Sequence, residues 1–187
     1  RSQARCALPN RLAWKSNEAE MSESHLAYLS LGTNIQPEIN LIRAIELLQG
    51  YGKLEKISNA WASESVGAEG PNYLNACILL VTSLEQKDLK EQALLPIERQ
   101  LGRKRSADKF APRTIDIDIV IFDNQPCDDK YWEQAFVVVP LAEIYPEYQN
   151  PLSQESMTQT AGRLRQRVWM EARSQVLSQF TGNYIRS

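Results

Sequence analysis

The sequence predicts an α+β fold, on three observations. Apolar runs with a period of two, or continuous over one strand length, recur at His25 to Leu31, Tyr73 to Thr82 and Ile115 to Ile121. Stretches with apolar residues at helical spacing separate them, and clusters of Gly, Asn and Pro punctuate the boundaries. With 187 residues the chain is long enough for one domain with a real hydrophobic core.

The first strand, His25 to Leu31, is closed by the turn-forming Gly32-Thr33-Asn34. Pro37 fits a first helical turn, and Leu41, Ile42, Ile45 and Leu48 fall on one face before Gly50 and Gly52 end the helix. Leu54 to Trp61 reads as a second strand, and Ala62 to Asn72 as an exposed loop. Tyr73 to Thr82 is apolar enough to be central in a sheet. A second helix, Leu84 to Leu101, is entered through Ser83 as cap, with a kink expected near Leu95 because Pro96 lies inside it. The basic loop Gly102 to Pro112 feeds a strand over Ile115 to Ile121, and Asp123-Asn124 makes a turn. The order strand, helix, strand, strand, helix, strand is a ferredoxin-like βαββαβ core with an antiparallel sheet. Beyond it, Phe136 to Val139 reads as a short apolar segment, Pro140 to Ile144 as one helical turn, and Leu164 to Phe180 as a closing helix.

The totals exclude more than they assign. Lys and Arg number 21 against 23 Asp and Glu, so any electrostatic argument has to be local. The three cysteines, Cys6, Cys77 and Cys127, have no paired spacing, which suggests neither a disulfide framework nor a zinc cluster and fits a cytoplasmic setting. No apolar run approaches a membrane span, and residues 1–20 lack the apolar centre of a secretory signal, so no membrane association is expected. Those twenty residues read as a leader or disordered extension, with Met21-Ser22-Glu23 as a natural start and 21–187 as a single domain. Neither Gly-x-x-x-x-Gly-Lys-[Ser/Thr] nor Gly-x-Gly-x-x-Gly occurs, and a lone histidine, His25, gives no support to a hydrolytic triad.

The chemistry concentrates at Arg113-Thr114-Ile115-Asp116-Ile117-Asp118-Ile119. Residues two apart on a strand share a face, roughly 6 to 7 Å apart, so Asp116 and Asp118 stand side by side. Two carboxylates that close repel each other and call for a compensating positive charge, of which a divalent metal is the simplest. An arbitrary Asp-x-Asp more often just meets water. Here Arg103, Lys104, Arg105, Lys109 and Arg113 precede it against the single acid Asp108. A basic loop running into an acidic strand face suits a metal-bound polyphosphate, with the carboxylates holding Mg²⁺ and the arginines pairing with phosphate. A solvated connection or a nucleic-acid patch is the other reading of such a loop, but no strand displays the aromatic series that stacks bases. On the third strand, Tyr73 offers a ring for stacking and Asn75 offers donor and acceptor together to the edge of a flat heterocycle.

Five segments in order, Leu29-Ser30-Leu31-Gly32-Thr33-Asn34, Tyr73-Leu74-Asn75-Ala76, Ile97-Glu98 leading to Leu101-Gly102-Arg103, Pro112-Arg113-Thr114-Ile115-Asp116-Ile117-Asp118-Ile119 and Pro140-Leu141-Ala142-Glu143-Ile144, resemble the 6-hydroxymethyl-7,8-dihydropterin pyrophosphokinases of folate biosynthesis. The resemblance runs from about Ala27 to Pro146. It implies transfer of the terminal pyrophosphate of ATP, the co-substrate, to the hydroxymethyl group of a reduced pterin. It further implies that Asp116 and Asp118 bind two Mg²⁺ ions, and that Tyr73 and Phe136 sandwich the pterin while Asn75 bonds its edge. Ser63 to Val66 would complete that pocket. Glu98 and Ile119 would lie on the nucleotide side, with Arg103, Arg105, Lys109 and Arg113 serving ATP binding and the order of the catalytic loop. ATP and pterin are then the only partners expected, for a monomer or weak homodimer that binds no nucleic acid.

Between Cys127 and Phe136 the resemblance lapses. A histidine and an arginine that many members carry there are absent, and Gln134 stands at the arginine's position. Lys130 supplies charge nearby, without the bidentate geometry of Arg. This departure implies altered ATP binding, and leaves a non-catalytic relative that binds pterin or nucleotide as the alternative.

Overall fold

The computed structural model describes residues 23–65, 70–104 and 111–181. Its centre is a seven-stranded sheet built on β1 (His25–Thr33), β4 (Tyr73–Thr82) and β5 (Asp116–Phe122). β1 pairs antiparallel with both β4 and β5. β2 (Lys53–Ile57) and β3 (Ala60–Ser63) both pair antiparallel with β4, and β7 (Met170–Arg173) pairs with the outer side of β3. At the opposite edge the two-residue β6 (Gln125–Pro126) caps β5 through a turn in which Asp123 and Asn124 both have positive φ. A short edge that ends on proline offers little to a further strand.

Period-two alternation gives each central strand two apolar faces. Ala27, Leu29 and Leu31 of β1, Ala76, Ile78 and Leu80 of β4, and Ile117 and Ile119 of β5 form one core. Covering it are Leu41, Ala44, Ile45 and Leu48 of α1 (Pro37–Leu48) together with Leu89, Ala93, Leu94 and Ile97. On the reverse face Tyr28, Cys77, Leu79, Val120 and Ile121 meet Trp132, Val138, Leu141 and Ile144 in a second core. A register shift in the β1–β5 ladder makes this possible, for Tyr28 pairs with Ile121 and Leu29 with Ile119, leaving Val120 as the extra residue of a bulge.

Several elements differ from the sequence expectation. The second strand is two, because the chain breaks at Ser58, whose hydroxyl donates to Asn59 O at 2.7 Å and accepts Cys77 N at 2.9 Å. Ala62 and Ser63 belong to β3 rather than to a loop. The second helix starts at α2 (Gln86–Asp88), with Glu85 rather than Ser83 at its N-cap. It widens into a π turn over Leu89–Leu94 before α3 (Leu95–Gln100), which accommodates the missing amide of Pro96 without a break.

Phe136 to Ile144 is not an apolar segment plus one turn. A 3₁₀ turn (Asp129–Glu133) leads into a single helix, α4 (Ala135–Ile144), with Pro140 inside it. Valines and a proline disfavour helix locally, but burial of Val137, Val138, Val139 and Leu141 overrides that preference. The expected closing helix from Leu164 to Phe180 is replaced by α5 (Met157–Arg165), β7 and α6 (Ser178–Thr181). Ser156 and Gln159 form a capping box that starts α5 early, and Val168 and Trp169 stay exposed between elements. Among the described residues no helix is long and apolar enough to cross a membrane.

Candidate active site

The site lies where the reverse face of the sheet runs out of helix cover. The α4 layer protects Tyr28, Cys77 and Leu79. One step along the same face, the pairings Ser30 with Asp118 and Gly32 with Asp116 and with Asn75 align small and polar residues in a row. These line a cavity of about 440 Å³ together with Ser63, Glu64, Ser65, Tyr73, Arg113, Lys130, Tyr131, Gln134, Phe136 and Val137. Tyr73 pairs with Ser63 on the neighbouring strand, and Phe136 enters from the first turn of α4. One wall is therefore aromatic and amide-bearing, the other ionic.

At the ionic wall Asp116 is gripped from two sides, by Arg113 three residues upstream and by Arg103 from the end of α3. Arg103 also pairs with Glu98. Asn34 fixes the approach of Arg113, since its side-chain oxygen accepts Arg113 N at 2.7 Å and its own amide donates to Arg113 O at 3.1 Å. Asp118 stands deeper. Burial, then the charge of Asp116, pushes its carboxyl above the ordinary carboxylate value, and Lys130 with a hydrogen bond from the Tyr131 hydroxyl pulls it back. Burial in turn pushes the Tyr131 phenol up to about 12, so it serves as a donor.

At the other wall Asn75 is buried and its amide nitrogen is committed, donating to Ser63 Oγ at 2.9 Å and Trp61 O at 3.2 Å. What Asn75 offers is its carbonyl oxygen, an acceptor rather than the donor and acceptor expected of it. Gly32 makes room for that oxygen, for a Cβ there would lie 3.3 Å from Asn75 Oδ1.

Of the residues singled out in the sequence, Ser63, Tyr73, Asn75, Arg113, Asp116, Asp118 and Phe136 line one cleft, and Arg103 reaches it through Asp116. Two stand elsewhere. Ile119 points into the opposite core, since it is odd in the alternation that brings Asp116 and Asp118 to the cleft. Glu98 is buried behind β5, where it accepts the amide of Ile117. Val66, Arg105 and Lys109 lie outside the described residues, as does the 1–20 extension. Sequence reasoning missed Tyr131, whose burial beside Asp118 has no local signal, and Ser30, which the alternation Tyr28, Ser30, Gly32 on one face of β1 does signal.

Asp116 and Asp118 are hard oxygen donors side by side on one strand face, a set that suits Mg²⁺. Among the described residues no third His, Cys, Asp or Glu joins them, so an ion held there would take its other ligands from substrate oxygens and water.

An antiparallel α+β fold whose cleft sets two carboxylates and arginines against two aromatic rings and a buried amide defines a class, enzymes that act on an anionic and a flat substrate together. Comparisons with known proteins narrow it. The 7,8-dihydro-6-hydroxymethylpterin-pyrophosphokinase (HPPK) family model matches residues 28–146. The 2-amino-4-hydroxy-6-hydroxymethyldihydropteridine pyrophosphokinase of Synechocystis sp. is 34% identical over 154 residues, 73% of this chain and 75% of its own. The enzyme of that name from Aquifex aeolicus is 33% identical over 67% of this chain and 83% of its own. The chain belongs to this family, and is accordingly a pyrophosphokinase that transfers pyrophosphate from ATP to hydroxymethyldihydropterin in folate biosynthesis. In fold, the HPPK-DHPS of Plasmodium falciparum superposes with a TM-score of 0.60 at 12% identity, covering 80% of this chain and 47% of that one. The chain thus spans less than half the length of that solved protein.

Proposed function

We propose that the two walls of the cleft divide the reaction, the pterin lying against Tyr73, Asn75 and Phe136 and the polyphosphate against Asp116, Asp118, Arg103 and Arg113. The placement of both sets around one cavity is the observation that carries this reading. Tyr73 and Phe136 exclude water from the ring faces, and the Asn75 oxygen accepts from an N–H on the pterin edge. Its commitment to Ser63 and Trp61 makes that acceptor rigid. Arg103 and Arg113, which here neutralise Asp116, are in place to turn to phosphate oxygens. Two Mg²⁺ ions held by Asp116 and Asp118 would supply neutralisation of polyphosphate charge as it shifts toward the leaving group.

The pterin hydroxyl oxygen bonds to the β-phosphorus, the bond from that phosphorus to the bridging oxygen of AMP breaks, and the hydroxyl proton leaves to water. No covalent enzyme intermediate is required, so the chain contributes positioning and charge. The strand order β5, β1, β4, β3 with crossing helices on one face supports a ferredoxin-like description of the core. Cys77 and Cys127 are free thiols, which supports a cytoplasmic place of work, and we assign a monomer or weak homodimer.

The test is incubation with MgATP and 6-hydroxymethyl-7,8-dihydropterin, with AMP and pterin pyrophosphate read by chromatography. Both should form, and Asp116→Ala or Asp118→Ala should abolish them with little loss of thermal stability. Turnover retained in either variant would remove the metal assignment.

A further inference from the structure

Glu143, in the last turn of α4, lines neither wall of the cleft, yet its carboxylate binds three donors. Oε2 accepts Asn59 N at 2.6 Å, and Oε1 accepts Asn59 Nδ2 at 3.0 Å and Trp61 Nε1 at 3.1 Å. All three donors lie where the chain enters β3. Trp61 is buried, and the guanidinium carbon of Arg165 lies 4.8 Å from the centroid of its ring. Its carbonyl accepts the Asn75 amide at 3.2 Å, and the two residues are partners in the β3–β4 ladder. One tryptophan therefore separates Glu143 from Asn75. Phe136 stands seven residues before Glu143 on α4, about two turns or 10 Å, which puts both on the same side of the helix.

We propose that Glu143 is a positioning residue for the flat substrate, which sets the spacing between the Phe136 ring and the Asn75 oxygen by tying α4 to the start of β3. The proposal rests on the reading of Tyr73, Asn75 and Phe136 as the pterin wall and names what holds that wall at its width. Tyr73 and Asn75 belong to the sheet, but Phe136 belongs to a helix. That helix meets the sheet through Val138, Leu141 and Ile144, and apolar packing is non-directional. Three bonds to one carboxylate are directional and charge-assisted, so they fix where α4 sits along β3. The slot needs such a device, because widening it by roughly 0.5 to 1 Å forfeits about a quarter to a half of each contact with a stacked ring. The same end of α4 carries an internal control. Lys56 Nζ donates to Ile144 O at 3.2 Å, but Lys56 belongs to β2, which contributes nothing to the cavity.

The experiment is isothermal titration of the full chain with Mg²⁺ and the ATP analogue α,β-methylene-ATP, then with 6-hydroxymethyl-7,8-dihydropterin in the presence of that analogue. Glu143→Ala should weaken pterin binding about tenfold and raise KM for the pterin, with analogue binding and KM for MgATP unchanged. Glu143→Gln keeps an oxygen for Trp61 but turns an N–H toward the Asn59 amide, and Trp61→Phe removes one of the three donors. Each should lose about threefold in pterin binding, and these two variants decide the matter if Glu143→Ala does not fold. Lys56→Met should bind pterin within about twofold of wild type. In an Asn75→Ala background Glu143→Ala should cost a smaller factor than in the wild type, because part of its effect runs through Asn75. Pterin binding at wild-type strength in the Glu143 and Trp61 variants overturns the proposal. So does an equal loss in Lys56→Met, a parallel loss of analogue binding, or the same factor in both backgrounds, each of which would mean general loosening. A wild type that binds the analogue but no pterin, or Asn75→Ala that binds pterin as the wild type does, would instead overturn the reading of the wall beneath the proposal.

Discussion

Glu98 reaches through the back of β5 to accept the amide of Ile117 at 2.9 Å, at the one residue between the two cleft aspartates. The same carboxylate pairs with Arg103, which in turn grips Asp116. Burial raises Glu98 above its ordinary value, while the Ile117 amide and Arg103 favour its charged form. One residue thus fixes both the strand and the arginine without lining the cavity. Glu98→Ala should cost about 1 to 3 kcal/mol by leaving the Ile117 amide unsatisfied and Arg103 with Asp116 alone. Glu98→Gln keeps an acceptor for Ile117 but loses the charge on Arg103. It should therefore raise KM for MgATP with a smaller loss of stability, and equal melting losses in the two variants would count against this division.

Asn75 yields a prediction specific to the wall proposed to hold the pterin. Asn75→Ala removes the acceptor and orphans Ser63 Oγ, so pterin binding should fall about tenfold or more and stability by about 1 kcal/mol. Binding of the ATP analogue should be unaffected, which calorimetry checks in the same preparation.

Gly32 separates crowding from chemistry at that wall. In Gly32→Ala the new Cβ lies 3.3 Å from Asn75 Oδ1, so the amide has to shift by a few tenths of an ångström. Pterin binding should weaken, by less than in Asn75→Ala, and a double variant should lose no more than Asn75→Ala alone.

Far from the cleft, His25 Nδ1 lies 2.6 Å from Asp123 Oδ2, and Asp123 Oδ1 accepts Leu26 N at 2.8 Å. The hydrogen bond to Asp123 raises the His25 pKa from its ordinary 6.5, so its contribution is complete below 6.5 and fades as pH rises through the raised value. The Leu26 amide, then His25, lowers Asp123 from its ordinary 3.8, so that contribution is complete above 3.8 and fades as pH falls through the lowered value. The melting difference between wild type and Asp123→Asn should thus be widest between pH 3.8 and 6.5. A difference that is flat across pH 4 to 9 would exclude the pair as its source.

Trp132 tests how the 3₁₀ turn is held. It is fully buried and its indole nitrogen has no partner among the described residues. Trp132→Ala should cost about 3 to 5 kcal/mol through the cavity it leaves. Trp132→Phe removes an unpartnered N–H along with some volume, and should cost well under half of that.

The first half of the fold is legible residue by residue because its signals are local. Pro37 and the 41, 45, 48 face define α1, and unbroken apolar character defines β4 over the same ten residues the structure shows. The acidic pair on β5 is legible for the same reason, as two aspartates two apart on a strand need no distant information. Legibility fails where tertiary burial outweighs propensity. The valines before Pro140 look like a strand and are a helix because the sheet needs covering there. Glu98 and Ile119 carry the signature of the site without facing it, since sequence does not say which side of a sheet a residue meets. Tyr131 carries no such signature, and only the fold brings it to Asp118.

The strand Met170–Arg173 lies outside the stretch that matches the family model, yet it hydrogen-bonds the whole length of β3, on which Ser63 and Trp61 hold the Asn75 amide. Beyond it, Val176, Leu177 and Phe180 cross the rim and join the core on the far face. A chain cut at the last matched residue would therefore keep every catalytic candidate and still bare the β3 edge, which pairs over four residues with β7, beside Asn75. Such a fragment would recruit a strand from its neighbour. The strand that closes this edge of the sheet thus comes from beyond the residues that the family model matches.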